Sequence, residues 1–393
     1  MQKTLPRVLF YSARMWSLLN NSGEGFGGGE TEMWTMMRGL ADRGEVCVSL
    51  LTAADVPAET VIENIPVAGI PSPRLTDRDS RLVRIAALIS YAFGIGRRIQ
   101  QSRVDVIFMK LPSFEMFAVA VAGWILRKPV VFRGVSNWET DEKNLAEQIF
   151  HGSRLKVRLF RFCLRRFNRV LCQTQHQRSE LNRNFGVEAV LIPNVHALPD
   201  VITSISARQG VLWVGRAHPG KQPQAFLQLA DANWDVAHTM IMAPAPEYSA
   251  LSAEVANAAS IQTNLQFQPG LPSGEVLKLY ELTRVLALTS EAEGFSNVVI
   301  EALKNGVPVV SLFWNPDGLF LPIGESDVSD CAAAPGFVTN GSVGVAALMM
   351  KRLNQDDIFW KACSDMATDY VRKTHSPDVV LPQYEALFAG VAR

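Results

Sequence analysis

The sequence predicts an α/β protein built from two doubly wound parallel-sheet domains that face each other across a cleft. Three observations carry that prediction. The chain has 393 residues, enough for about two domains of ordinary size. Short β-branched runs alternate with longer helical patterns through the first half, and such alternation builds a parallel sheet with helices on both faces. The alternation restarts after a weakly patterned stretch at 197–209, which reads as a linker.

In the first domain, placed at about 1–197, the runs Val8–Tyr11, Val46–Leu51, Val104–Met109, Val130–Phe132, Val170–Cys172 and Val190–Ile192 read as buried strands. Helices are predicted near 30–40, 80–100, 113–126, 141–169 and 175–185. The second domain, at about 208–370, has strands predicted at Val211–Val214, His238–Met242, Ile261–Phe267, Val285–Leu288 and Pro308–Leu312. Helices near 222–232, 248–258, 274–281 and 297–305 separate them, and a terminal helix is predicted from Pro377 onward. Sheets wound in this way bind ligands at the carboxyl ends of their strands.

Composition narrows the function. Lys plus Arg and Asp plus Glu are both 38, so the chain lacks the global basic bias of a nucleic-acid binder, and no nucleic-acid partner is predicted. The five cysteines are odd in number and none has metal-ligand spacing, which predicts a reducing, cytoplasmic setting. The N-terminus runs straight into a strand-like segment, so no signal peptide is predicted. The longest apolar runs, Ile85 to Gly96 and Phe114 to Leu126, fall short of the roughly 20 residues that span a bilayer.

Chemistry concentrates in four segments. In the first, 290–310, a strand ends at Leu288, a small polar loop follows, and a helix begins near Asn297. A helix N-terminus offers amide donors and a positive dipole end that suit a diphosphate. Glu293 lies before that helix and Glu301 inside it, and a carboxylate accepts two hydrogen bonds from a vicinal diol. The residues alone leave two readings open, a diol-binding pair or two solvated glutamates on a capped surface helix. In the second segment, the strand at 211–214 ends in Gly215, and Arg216 and Lys221 follow in a loop. Together they can neutralise a diphosphate, or they are simply solvated; His218 between them reads as a solvated loop histidine. In the third, Gly27, Gly28 and Gly29 precede a helix, where backbone can approach a phosphate or an acceptor. The formal match of Gly23, Gly25 and Gly28 to the dinucleotide fingerprint stands about a dozen residues past its strand, which argues against a nicotinamide enzyme. In the fourth, Arg154 to Arg169 interleaves cations with Leu155, Leu159, Phe160 and Phe162 and contains no acid. It fits a solvated helix that packs its apolar side on the sheet, and also a helix on an anionic membrane surface.

The segment Glu293-Gly-Phe-Ser-Asn-Val-Val-Ile-Glu301 closely resembles the paired-glutamate motif of the retaining glycosyltransferases of family 4 (glycosyl transferases group 1), which have the GT-B fold of two Rossmann-like domains. Gly306-Val-Pro308, the Arg216 and Lys221 pair and the glycine loop fit the same family. The resemblance implies that Glu293 contacts the donor sugar and Glu301 the nucleotide ribose. Amides of Phe295, Ser296 and Asn297 would lie near sugar and phosphate, and Gly215, Arg216 and Lys221 near the diphosphate. Gly27, Gly28 and Gly29 would lie near the diphosphate and the acceptor. It further implies a nucleotide-diphosphate sugar as donor and a glycan or lipid-linked acceptor. The terminal helix, about 375–393, would pack back on the first domain. Neither a cofactor nor an obligatory metal is expected. The chain departs from the family after Val130–Phe132, where many members carry a histidine; Arg133 or Asn137 is the candidate replacement on the sugar or acceptor side, and a purely structural loop is the equal alternative. That departure keeps a catalytically silent donor-binding scaffold open as an alternative. A GT-B sugar-nucleotide epimerase is a second, although the six histidines form no evident cluster.

Overall fold

A computed structural model describes residues 4–20, 28–73 and 80–392. The chain divides into two compact units, Met1–Val195 with Pro377–Arg393, and His196–Ser376. Each has its own sheet.

The first sheet contains β1 (Arg7–Tyr11), β2 (Cys47–Thr52), β3 (Val61–Ile62), β4 (Ile65–Gly69), β5 (Val106–Lys110), β6 (Val130–Arg133), β7 (Arg169–Cys172) and β8 (Val190–Leu191), in the order β3-β4-β2-β1-β5-β6-β7-β8. All neighbours pair parallel except β3 with β4. Alternate residues feed two cores. Val8, Phe10, Val106 and Phe108 face one, and Leu9, Tyr11, Ile107 and Met109 face the other. Both faces are covered, which is why these strands read as unbroken apolar runs. The terminal helix Pro377–Val391 belongs to this unit. It buries Val380, Leu381, Tyr384 and Phe388, with the Phe388 ring edge-on to Phe10 and Phe108.

The second sheet contains β9 (Val211–Arg216), β10 (His238–Ala243), β11 (Leu265–Gln268), β12 (Val285–Leu288), β13 (Val309–Ser311), β14 (Leu321–Pro322) and β15 (Gly336–Val338). Its order is β11-β10-β9-β12-β13-β15-β14, all parallel. Gly306 turns the chain into β13 at φ 71°, and a Cβ there would collide with the Ser364 hydroxyl.

Three sequence expectations are corrected. The single helix expected over 141–169 is broken, because His151 and Gly152 adopt left-handed backbone (φ 49° and 82°) that a right-handed helix cannot contain. A new helix, Arg154–Leu164, starts after Ser153, whose hydroxyl accepts from the Lys156 amide. The strand expected at Ile261–Phe267 begins only at Leu265, since the helix Ser249–Ser260 uses Ile261 as its C-cap. The stretch read as a linker ends on an anchor: buried Arg208 donates to the carbonyls of Tyr280, Thr283 and Asn305 at 2.8–3.1 Å. Helices Val343–Gln355 and Asp357–Thr374 complete the second unit and lay outside the sequence assignment.

Candidate active site

In a doubly wound sheet the ligand crevice opens where strand order reverses. In the second sheet that point lies between β9 and β12, and the loops leaving these two strands carry the predicted cations and carboxylates. Lys221 ends a short 3₁₀ turn, Pro219–Lys221, and its Nζ contacts Glu293 Oε1. Neither side chain is more than 29% exposed, so the pair is partly shielded from water yet reachable. Arg216, the last residue of β9, pairs with Glu247 at 3.3 Å, and both side chains are more than half exposed. A pair so open adds little stability and is readily exchanged for another partner.

What fixes Lys221 is buried beneath it. Trp213 Nε1 donates to Thr289 Oγ1 at 2.8 Å, and the Thr289 hydroxyl donates to the Lys221 carbonyl at 2.6 Å. Gly215 is dictated by the same arrangement, because a Cβ there would lie 2.7 Å from the Trp213 ring. A second latch ties the two loops: the Glu291 amide donates to the Gly220 carbonyl at 3.1 Å, and the Gln222 amide side chain donates to the Glu291 carboxylate. His218 is not the solvated histidine expected from the sequence. Its Nδ1 accepts from the Gly220 amide at 3.0 Å and its ring sits edge-on to Tyr248. Desolvation, then the Lys221 and Arg216 charges, hold its pKa below the ordinary histidine value. This favours the neutral ring that can accept at Nδ1.

The helix Asn297–Lys304 opens at the same switch point. Phe295 turns inward, 6% exposed, and packs against Trp314, Tyr370 and His375. Ser296 caps the helix through its backbone, with no side-chain capping bond. Asn297 Oδ1 and His196 Nε2 are 3.1 Å apart. Glu301 is a turn further in and half-buried. Burial raises its carboxyl pKa, opposed by the Lys304 charge and the Tyr280 hydroxyl. Tyr280, Thr289 and Trp213 escaped the sequence reading. The one signal for the last was a tryptophan set two residues before a glycine at a strand end.

The switch point of the first sheet, between β1 and β5, is different in kind. Gly28 and Gly29 begin the helix Gly28–Arg43, while Gly27 lies outside the described residues. Lys110, ending β5, contacts the Glu32 carboxylate and reaches the Gly29 carbonyl at 3.5 Å. Arg133, ending β6, is 0% exposed. It donates to the Ile192 carbonyl at 3.2 Å and Asn194 Oδ1 at 2.5 Å, and its Nη1 lies 3.6 Å from Glu32. Of the two readings the sequence left open for Arg133, a sugar-side contact or a structural role, its surroundings fit the second: it is a core cation of its unit, stacked over Tyr384. Asn137 opens a 3₁₀ turn, Asn137–Thr140, and its carbonyl accepts from the Thr140 hydroxyl at 2.8 Å. Two residues later, burial pushes the Glu139 carboxyl up to about 8.

Comparison with known proteins fits this geometry. Residues 27–195 match the glycosyl transferase 4-like domain, and residues 202–312 match glycosyl transferases group 1. No curated protein matches the chain by sequence. Among solved structures, Anabaena HepE, crystallised in complex with UDP and glucose, aligns over 97% of this chain and 99% of its own at 17% identity, with a TM-score of 0.70. Sucrose-phosphate synthase from Thermosynechococcus elongatus aligns over 98% and 99% at 14% identity, with a TM-score of 0.74. The α,α-trehalose 6-phosphate synthase of Burkholderia multivorans aligns over 99% of each chain at 12% identity, with a TM-score of 0.70. At such identities the likeness shows the GT-B fold, and the two domain matches supply the family. The chain belongs to the family 4, group 1 glycosyltransferases and is an enzyme of that class.

Proposed function

We propose that this glycosyltransferase moves a hexose-type sugar from a nucleoside-diphosphate sugar, bound by the second unit, to a glycan or lipid-linked acceptor bound by the first, with retention at the anomeric carbon. The observation that carries the reading is the Lys221–Glu293 contact at the carboxyl ends of β9 and β12. In that contact each charge neutralises the other. A donor would exchange that contact for two better ones, the ammonium turning to the diphosphate and the carboxylate to the sugar hydroxyls. Arg216 would leave Glu247 in the same way. Negative charge then develops on the departing diphosphate, and Lys221, Arg216 and the amides at the start of Asn297–Lys304 would meet it there. These groups supply the positive charge, so the proposed transfer has no obligatory metal. Glu301 is the proposed ribose acceptor, with Gly215 leaving room for the donor backbone contacts.

The test is calorimetry of the full chain with a panel of nucleoside diphosphates, beginning with UDP because HepE was crystallised with it. Binding of at least one, followed by turnover of the matching nucleotide sugar only when an acceptor is supplied and undiminished by a chelator, is expected. Binding to none removes the donor reading. Turnover without acceptor makes the chain an epimerase or hydrolase, and binding without turnover makes it a scaffold.

A further inference from the structure

The outer surface of one helical layer in the first unit is apolar where it should be wet. The helix Arg81–Ser102 packs on Phe114–Ile125, which packs on Arg154–Leu164, and all three send buried residues to one core on the same face of the first sheet. Their opposite sides carry a second, exposed apolar line. On Arg81–Ser102 it is Leu82, Ile85, Ile89 and Phe93, spaced by three or four residues and so on one stripe, with Leu82 79% and Phe93 75% exposed. No side chain in the first ten residues of that helix is buried. On Phe114–Ile125 the line is Val121 and Ile125, the latter 76% exposed, and on Arg154–Leu164 it is Leu155, Leu159 and Phe162. Trp124 meets Phe162 edge to face, joining the last two lines. A helix this poorly packed gains little from propensity alone and calls for a partner.

The charge around the stripes says which partner. Arg81, Arg84, Arg97 and Arg98 flank the first helix, which has no acid. Arg154, Lys156 and Arg158 flank the third, which has none either. The guanidinium of Arg166 stacks 3.8 Å from the Phe162 ring. Glu115 lies in the first turn of the middle helix, and Glu142 is paired to Arg161 at 2.5 Å. A second copy docking through this face about a two-fold axis would set cation against cation. Nucleic acid would match the charge and leave the apolar stripes unused. An anionic bilayer matches both, phosphates meeting the arginines while the Leu, Ile and Phe side chains enter the acyl boundary.

We infer that the layer formed by Arg81–Ser102, Phe114–Ile125 and Arg154–Leu164 is a docking surface for an anionic membrane, with the exposed stripe of the first helix as its deepest element. The sequence placed the membrane contact on Arg154–Arg169 alone. The structure adds a longer and more apolar helix beside it, and gives Arg154–Leu164 both of the faces the sequence left as alternatives, Val157 and Phe160 inward and Leu155 and Leu159 outward. The inference is independent of the donor chemistry, because no donor residue lies in this layer.

The experiment is co-sedimentation of the full chain with vesicles of equal parts phosphatidylcholine and phosphatidylglycerol, against pure phosphatidylcholine. Two double variants, Leu82→Glu with Phe93→Glu and Leu155→Glu with Leu159→Glu, are run beside the wild type. Binding to the anionic vesicles is expected, at least about tenfold weaker in each variant, since each loses the burial of two large apolar side chains. Weak binding to the zwitterionic vesicles and unchanged melting curves of the variants complete the expected result. Absence of binding, or equal binding by wild type and both variants, overturns the inference. So does a wild type that is dimeric without vesicles and made monomeric by Leu82→Glu with Phe93→Glu, which would give the face to a second copy.

Discussion

The two sheets reverse their strand order at equivalent places and set charged groups there in opposite surroundings. In the second unit, Lys221 with Glu293 and Arg216 with Glu247 are partly or largely open to solvent. In the first, Glu32, Lys110 and Arg133 are buried, two cations to one carboxylate. Burial lowers the Lys110 ammonium pKa, with the Glu32 carboxylate acting against that. An open pair costs little to separate, so a ligand can exchange with it. A buried cluster cannot separate without leaving a charge in low dielectric, so it holds the loop ends around it in one arrangement. One switch point is arranged for exchange and the other for rigidity.

Removing Glu32 breaks the buried cluster most directly. Glu32→Gln removes the carboxylate that Lys110 and Arg133 share, and the loss of one partner from a buried ionic network costs on the order of 3–5 kcal/mol. Urea unfolding should report a loss of that size. A loss below about 1 kcal/mol would mean that water reaches the cluster and that the contrast between the two sites is false. The next largest effect is a pH dependence at Glu139, near Arg133 along the chain. Its carboxyl is raised to about 8 by burial, opposed by hydrogen bonds from the Val135 amide and Ser136. The folded state therefore holds a proton that the unfolded chain releases at ordinary carboxylate pH. This contribution is complete below the unfolded value and is lost as pH rises through about 8. Between those limits stability should fall by up to about 1.4 kcal/mol per pH unit. Glu139→Gln, which keeps the shape and removes the titration, should flatten that slope in melting curves recorded across the range. A slope unchanged by the substitution would assign the pH dependence to another group.

The comparison also explains what was legible in advance. Strand positions were readable because residues such as Val8–Tyr11 and Val285–Leu288 are apolar on both faces, a pattern that needs no partner to recognise. The sequence put Glu293 and Lys221 in loops that follow strands, without pairing them. The support beneath them was not readable: Thr289 and Trp213 lie 76 residues apart, and only the parallel neighbours β9 and β12 bring them together. Arg133 stayed ambiguous for the same reason. A cation after a strand reads either way, and only the fold shows that Asn194 and Glu32 close over it. The left-handed His151 and Gly152 were hidden inside an otherwise continuous helical pattern.

That hidden support supplies the smallest effect and the finest test of the open site. Thr289 sits between a donor and an acceptor, the Trp213 indole and the Lys221 carbonyl, and is itself fully buried. Thr289→Val keeps the volume but satisfies neither, so about 1–2 kcal/mol of stability should be lost. Thr289→Ser keeps the hydroxyl and should lose less. Stability alone would not separate a positioning role from a packing one, so nucleoside diphosphate affinity and turnover are measured alongside. If the relay holds Lys221 where the diphosphate leaves, the valine variant loses turnover more than affinity, because its ammonium is held less firmly where the charge develops. The serine variant should restore that turnover. Equal turnover in wild type and Thr289→Val, with stability lost, would make the relay structural only, and the Glu293 contact alone would then position the Lys221 ammonium.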